Sequence, residues 1–199
     1  MEISSLLILS DIVIGMVVLI IFSFIVINFS ESQPNKNVRK EKKSIVETGT
    51  MTLFFIAFYL VIRFKIGSIE NYNPAIRLPL IILGILTILA GAYFNIQGRL
   101  VLGKNWANQI KIYKNHTFIK KNVYSIVRHP LYASLIWMFY AASIIYFNWL
   151  AFLFNSIIFI PFMYYRAKQE EVELEKTFKL YKTYKKEVGM FFPKINWNK

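Results

Sequence analysis

Five apolar windows, each closed off by charged or turn-forming residues, constrain this chain more than any other feature: 5–29, 50–62, 75–96, 131–147 and 149–165. A helix needs about 20 mostly apolar residues to cross ~30 Å of hydrocarbon, and fewer where flanking side chains snorkel. The second window leans on Ile45 and Val46 at its entrance, and the last two are also short. Composition agrees, because 56% hydrophobic residues, 17% aromatic residues and a positive mean hydropathy exceed what an ordinary soluble domain carries. The expectation is an all-α integral membrane protein of about five transmembrane helices. Three of them fall in 1–98, with a cytoplasmic 30–47 connection. Residues 99–199 hold a helical hairpin over 131–165 and an amphipathic tail.

A secretory signal is not expected at the start, since Glu2 and no Lys or Arg precede an apolar run far longer than a signal core. Asp11 falls within the first turns of that span and is expected to act as an interfacial anchor. A net charge of +13 would suggest nucleic acid in a soluble chain, yet its placement argues otherwise. Of 24 Lys and Arg, five lie in 30–47, seven in 97–130 and nine from Arg166 onward, while Arg63, Lys65 and Arg77 make up the rest. Basic residues kept on the cytoplasmic side predict an outside N-terminus, an inside C-terminus and an odd number of spans. Anionic headgroups, not nucleic acid, are then the partners to expect. With no Cys and only His116 and His129, neither a disulfide nor a histidine-rich metal site is expected.

Asn71 to Pro74 marks an outer turn before the third span. Alternation about Lys114-Asn115-His116 predicts a short hairpin between 109–113 and 118–121, lying over the feet of the last two spans. At the chain's end, Leu174, Phe178, Tyr181, Tyr184 and Val188 recur at spacings of three and four. They predict one amphipathic cytoplasmic helix closed by Gly189 and packed on the Arg128-His129-Pro130 foot.

Arg166 and Glu170 stand four residues apart at the inner end of the fifth span, where neither charge is cheap unless paired or liganded. A guanidinium beside a carboxylate suits a zwitterionic amino-acid ligand. Pro130 sets Arg128 and His129 at the N-terminal end of the fourth helix, where backbone N–H groups can hold an anionic group.

The order Gly103, His116, Tyr124-x-x-x-Arg128-His129-Pro130-x-Tyr132, a tight apolar hairpin, Arg166-x-x-x-Glu170-Glu171-x-x-Leu174, Phe178, Tyr181-x-x-Tyr184 and Phe192-Pro193 resembles the isoprenylcysteine carboxyl methyltransferase family, which belongs with the membrane phospholipid methyltransferases. The resemblance spans roughly 99–193. It implies an S-adenosylmethionine-dependent methyltransferase whose cofactor enters from the cytoplasm and whose lipophilic acceptor enters laterally. By position, His116, Arg128, His129, Tyr132, Arg166 and Glu170 would line the cofactor pocket, Leu131 and Tyr181 would enclose it, and Glu171 would lie beside it. The chain departs from the family at Asn122-Val123, where Gly-Pro is frequent, and at Ser134 and Lys179, where Gly is frequent.

No metal is implied. If the acceptor is a carboxylate, Arg128 would orient it; if it is a phenol, enol or amine, His129 or Glu171 would take a proton. Phospholipid N-methylation and an NADPH-dependent sterol-type reductase are the alternatives, and the compact Arg-His-Pro to Glu-Glu pattern favours the methyltransferase. A non-catalytic transport subunit is disfavoured, because no window carries a run of ionisable residues at mid-span.

Overall fold

The computed structural model describes residues 3–31, 38–42, 45–70, 73–103, 110–113 and 118–194. In chain order the elements are α1 (Ile3–Glu31), β1 (Val38–Lys42), α2 (Ile45–Arg63), α3 (Pro74–Leu102), β2 (Ile110–Tyr113), α4 (Pro130–Ile145), α5 (Trp149–Phe154), α6 (Ile160–Thr177) and α7 (Tyr181–Glu187). Three helical stretches, Ile3–Ile27, Pro74–Leu102 and Trp149–Thr177, are long and apolar enough to cross a membrane; Gly49–Arg63 and Pro130–Ile145 are shorter apolar helices. Large side chains such as Leu19, Phe22, Leu53, Leu86 and Ile157 point outward. An apolar exterior of this extent is what a lipid environment requires.

Helix directions follow from which ends meet. Tyr146, at the end of α4, donates to Asp11 in the first turns of α1, so Asp11 is tied to a neighbouring helix. Asn148, between α4 and α5, donates to the Ile66 carbonyl at 3.0 Å and to Ser68 at 3.2 Å just past α2. It also caps α5 by accepting from the Ala151 amide. Gly67 allows this approach with a φ of +77°, and a Cβ there would meet Leu150 at 2.6 Å. Along α3 the glycines fall seven apart. Gly84 lies against Ile145 and Gly98 against Leu131, so α3 runs antiparallel to α4 in close contact.

α4 is the central helix. On one side Ile136 and Ala133 pack with Phe54, Phe58 and Phe159 of α2 and the α5–α6 region. On the other, Ala141 and Ile145 pack with Leu6 and Val17 of α1 and Ile81 and Ile88 of α3. Residues 155–159 between α5 and α6 form a π-turn. Asn155 donates to the Ile136 carbonyl there, and Pro161 in the next turn cannot supply its own N–H.

Two local expectations are overturned. β2 pairs antiparallel with β1, and 118–120 carry no strand, so the connection does not fold as a hairpin on itself. The tail is not one helix either. Phe178 is extended (φ −122°, ψ 108°) and separates α6 from α7. Its ring stacks on Phe118 with centroids 5.7 Å apart, a contact that a continuous helix would forfeit.

Candidate functional site

The break at Phe178 turns α7 back over the foot of α4, and the two lock together through backbone. The amides of Arg128 and His129 donate to the carbonyls of Gly189 and Met190 at 2.8 and 3.1 Å. Those two amides are therefore taken up by the strap and not open to a ligand. Gly189 is obligatory for a local reason: a Cβ would sit 1.9 Å from the Phe192 carbonyl oxygen. Tyr184 donates to the Tyr124 carbonyl at 2.6 Å and ties α7 to the 3-10 turn Asn122–Ser125. Burial pushes the phenols of Tyr124, Tyr181 and Tyr184 above their ordinary range, so these rings enter as neutral packing groups.

Under this cover sits a charged cluster. Arg128 donates through Nε to Glu171 Oε1 at 2.8 Å, and its Nη1 donates to the carbonyls of Lys185, at 3.2 Å, and Val188. His129 faces both acids, with Nε2 3.4 Å from Glu171 and Nδ1 3.5 Å from Glu170. Burial disfavours the charged imidazole, but its hydrogen bonds to Glu170 and Glu171 outweigh this and raise the His129 pKa. Its ring also stacks on Tyr132, with interplanar angle 7°.

Arg166 and Glu170 do share a face, but at 3.9 Å their direct pairing is loose. Tyr132 stands between them, donating to Glu170 and accepting from Arg166 Nε at 3.0 Å. Arg128, His129, Tyr132, Arg166, Glu170 and Glu171 thus converge, drawn from the start of α4 and the end of α6. Leu131 does not join them, because its side chain packs toward Gly98 of α3. Tyr181 belongs to the aromatic layer with Phe118 and Tyr184. His116 lies outside the described residues.

Sequence reasoning missed Lys185, which reaches Glu171 at 3.1 Å and Glu175 at 2.7 Å. Glu175 first, and then Glu171, hold its ammonium above the ordinary value. It also missed a buried polar chain behind the site. Arg99 donates to Asn95 at 2.9 Å, Asn95 to Ser134 at 2.9 Å, and Ser134 to the Leu131 carbonyl at 2.9 Å. The signal was available as Asn95 and Arg99 one turn apart on a mostly apolar helix. Ser134, one of the departures from the family pattern, is the residue that receives this chain.

The family model for isoprenylcysteine carboxyl methyltransferases matches residues 82–176, which contain most of this cluster. The solved structure of the eukaryotic intramembrane Ras methyltransferase, an isoprenylcysteine carboxyl methyltransferase without a monobody, is similar with a TM-score of 0.53 and 21% identity. The likeness covers 76% of this chain and 53% of that one, so the chain spans about half the length of the relative. At this identity the likeness carries the fold. No curated protein matches. The matched segment, the helical arrangement and the Arg-His-Pro to Glu-Glu cluster make this chain similar to the isoprenylcysteine carboxyl methyltransferases.

Proposed function

We propose that this chain is an S-adenosylmethionine-dependent methyltransferase acting on a lipophilic acceptor at the cytoplasmic face of a membrane. The observation that carries it is the buried cluster in which His129 lies between Glu170 and Glu171 while Arg128 and Arg166 flank them. All five apolar helices cross, by this account. Alternating directions of α1, α2, α3, α4 and α5–α6 would bring the basic segments to one side, which supports an outside N-terminus and an inside C-terminus.

The donor set fits such a nucleoside amino acid. Arg166 suits its carboxylate, Glu170 its ammonium or a ribose hydroxyl, and Tyr132 fixes both side chains. When bound, the cofactor supplies an electrophilic methyl group on sulfur. The chain's own part is to orient the reactants and keep water away, with α7 and the 189–192 strap covering the cluster.

The same geometry favours an acceptor that is already ionised. His129 lies against two carboxylates that favour its charged form, and Glu171 is engaged by Arg128, His129 and Lys185. Both groups are already committed to partners, so a carboxylate on a prenyl-like tail suits the site better than a phenol or amine that must lose a proton. Arg128 would orient it. The similar eukaryotic structure is named as a Ras methyltransferase, which accords with a lipid-bearing carboxylate.

Titration of the purified protein in detergent with S-adenosylhomocysteine and with NADPH tests this. The expected result is homocysteine-nucleoside binding that vanishes in Arg166→Ala and Glu170→Ala; binding of NADPH alone would replace the methyltransferase with a reductase. Host lipids extracted after incubation with labelled methyl donor then identify the acceptor. Label on an ester supports the carboxylate, and label on a phospholipid amine overturns it.

A further inference from the structure

The two sides of α7 differ in what they face. Tyr181 and Tyr184 are buried against the cluster's cover, while Lys182, Thr183 and Lys186 share an exposed face of the helix and Lys179, two residues ahead of its first turn, is exposed as well. None of these three lysines meets a carboxylate among the described residues. Within 178–194 Glu187 is the one acid, so the surface is strongly cationic.

Apolar groups flank it. Leu180 and Phe192 are 66% and 58% exposed, and the Phe192 ring lies 6.3 Å from Trp137, two turns into α4. A tail whose aromatic tip lies beside a transmembrane helix while its lysines point away from the protein has the pattern of a segment seated at a headgroup layer.

That face is mechanically joined to the site. The carbonyls of Lys185 and Val188, at the end of α7, hold the Arg128 guanidinium, and Lys185 itself reaches Glu171. We propose that anionic lipid headgroups seat α7 through Lys179, Lys182 and Lys186, and that this seating keeps the tail on Arg128 and so tightens nucleoside binding. The coupling rests on the methyltransferase function proposed above; the lipid contact does not. Lipid and nucleoside favour the same docked tail, so each strengthens the other.

The chain has no Cys, so Thr183→Cys gives a single attachment point for a polarity-sensitive fluorophore. The labelled protein is placed in nanodiscs of phosphatidylcholine alone and of phosphatidylcholine with phosphatidylglycerol. Expected are a blue shift and several-fold tighter S-adenosylhomocysteine binding in the anionic discs. Both should disappear in Lys179→Gln/Lys182→Gln/Lys186→Gln. Should that variant not fold, high salt on the wild type must erase both differences, since screening weakens headgroup attraction. Identical emission in the two lipids overturns the contact, and a shift with unchanged affinity overturns the coupling. If the nucleoside binds in neither lipid, the methyltransferase function fails while the emission still decides the contact.

Discussion

Arg128 and Glu171, 43 residues apart in sequence, meet through one 2.8 Å contact between Nε and Oε1 that ties the foot of α4 to α6. Both side chains are almost wholly buried, at 7% and 1% exposure. A charge in that position is stable only while its partner is present. Arg128→Ala is therefore expected to lower stability by about 3 kcal/mol, the cost of leaving a buried charge unpaired. Thermal unfolding in detergent checks the value, and a loss below about 1 kcal/mol would mean that Lys185 and His129 suffice to hold Glu171.

Tyr132 divides its hydroxyl between Arg166 and Glu170, so Tyr132→Phe should leave both in place but disconnected. The expected loss in S-adenosylhomocysteine affinity is about tenfold, equivalent to ~1.4 kcal/mol. Arg166→Lys should weaken binding too, because a point charge does not reproduce a planar fork. Isothermal titration on the two variants decides whether orientation or charge alone matters; wild-type affinity in Arg166→Lys removes that side chain as a carboxylate clamp.

His129 makes stability depend on pH in a defined direction. Its folded pKa is raised above the ordinary 6.5 by Glu170 and Glu171 against the opposing effect of burial. A raised folded pKa means that the pairing contributes fully below 6.5 and is lost as pH climbs through the folded value. Melting curves of wild type and His129→Gln should converge as the buffer moves from acid to alkaline. A constant gap between them would show that the ring acts by packing on Tyr132 instead.

Gly189→Ala must displace the Phe192 carbonyl, because the added carbon would sit 1.9 Å from it. The strap over Arg128 and His129 should loosen, with a loss of at least about 2 kcal/mol. Gly15→Ala on α1, where nothing lies within 4 Å, serves as the matched control and should change little. Limited proteolysis of the tail alongside the melts distinguishes local release from global unfolding.

The meeting of the two feet was legible because its causes are local. Pro130 starts α4 at the first helical position, Asn148 caps the next helix, and apolar lengths do the rest. Charged residues placed just outside two antiparallel helices must then come together. What was illegible depended on non-local packing. Phe118 takes Phe178 out of the helix, which changes the phase of everything after it and brings Lys185 onto Glu171. Ribbon pairing between Val38–Lys42 and Ile110–Tyr113 joins segments that no sequence period connects. The Asn95–Ser134 contact likewise needs α3 and α4 already docked through the glycines of α3.

At 16 residues, α4 measures about 24 Å along its axis, several ångströms less than ~30 Å of hydrocarbon. Because it is pinned to α3 at both ends, by Gly98 at Leu131 and by Gly84 at Ile145, it cannot slide to favour either leaflet. Where α4 crosses as proposed, the bilayer must thin around it, and membrane thickness then bears on how readily the proposed nucleoside and lipophilic acceptor reach the same spot.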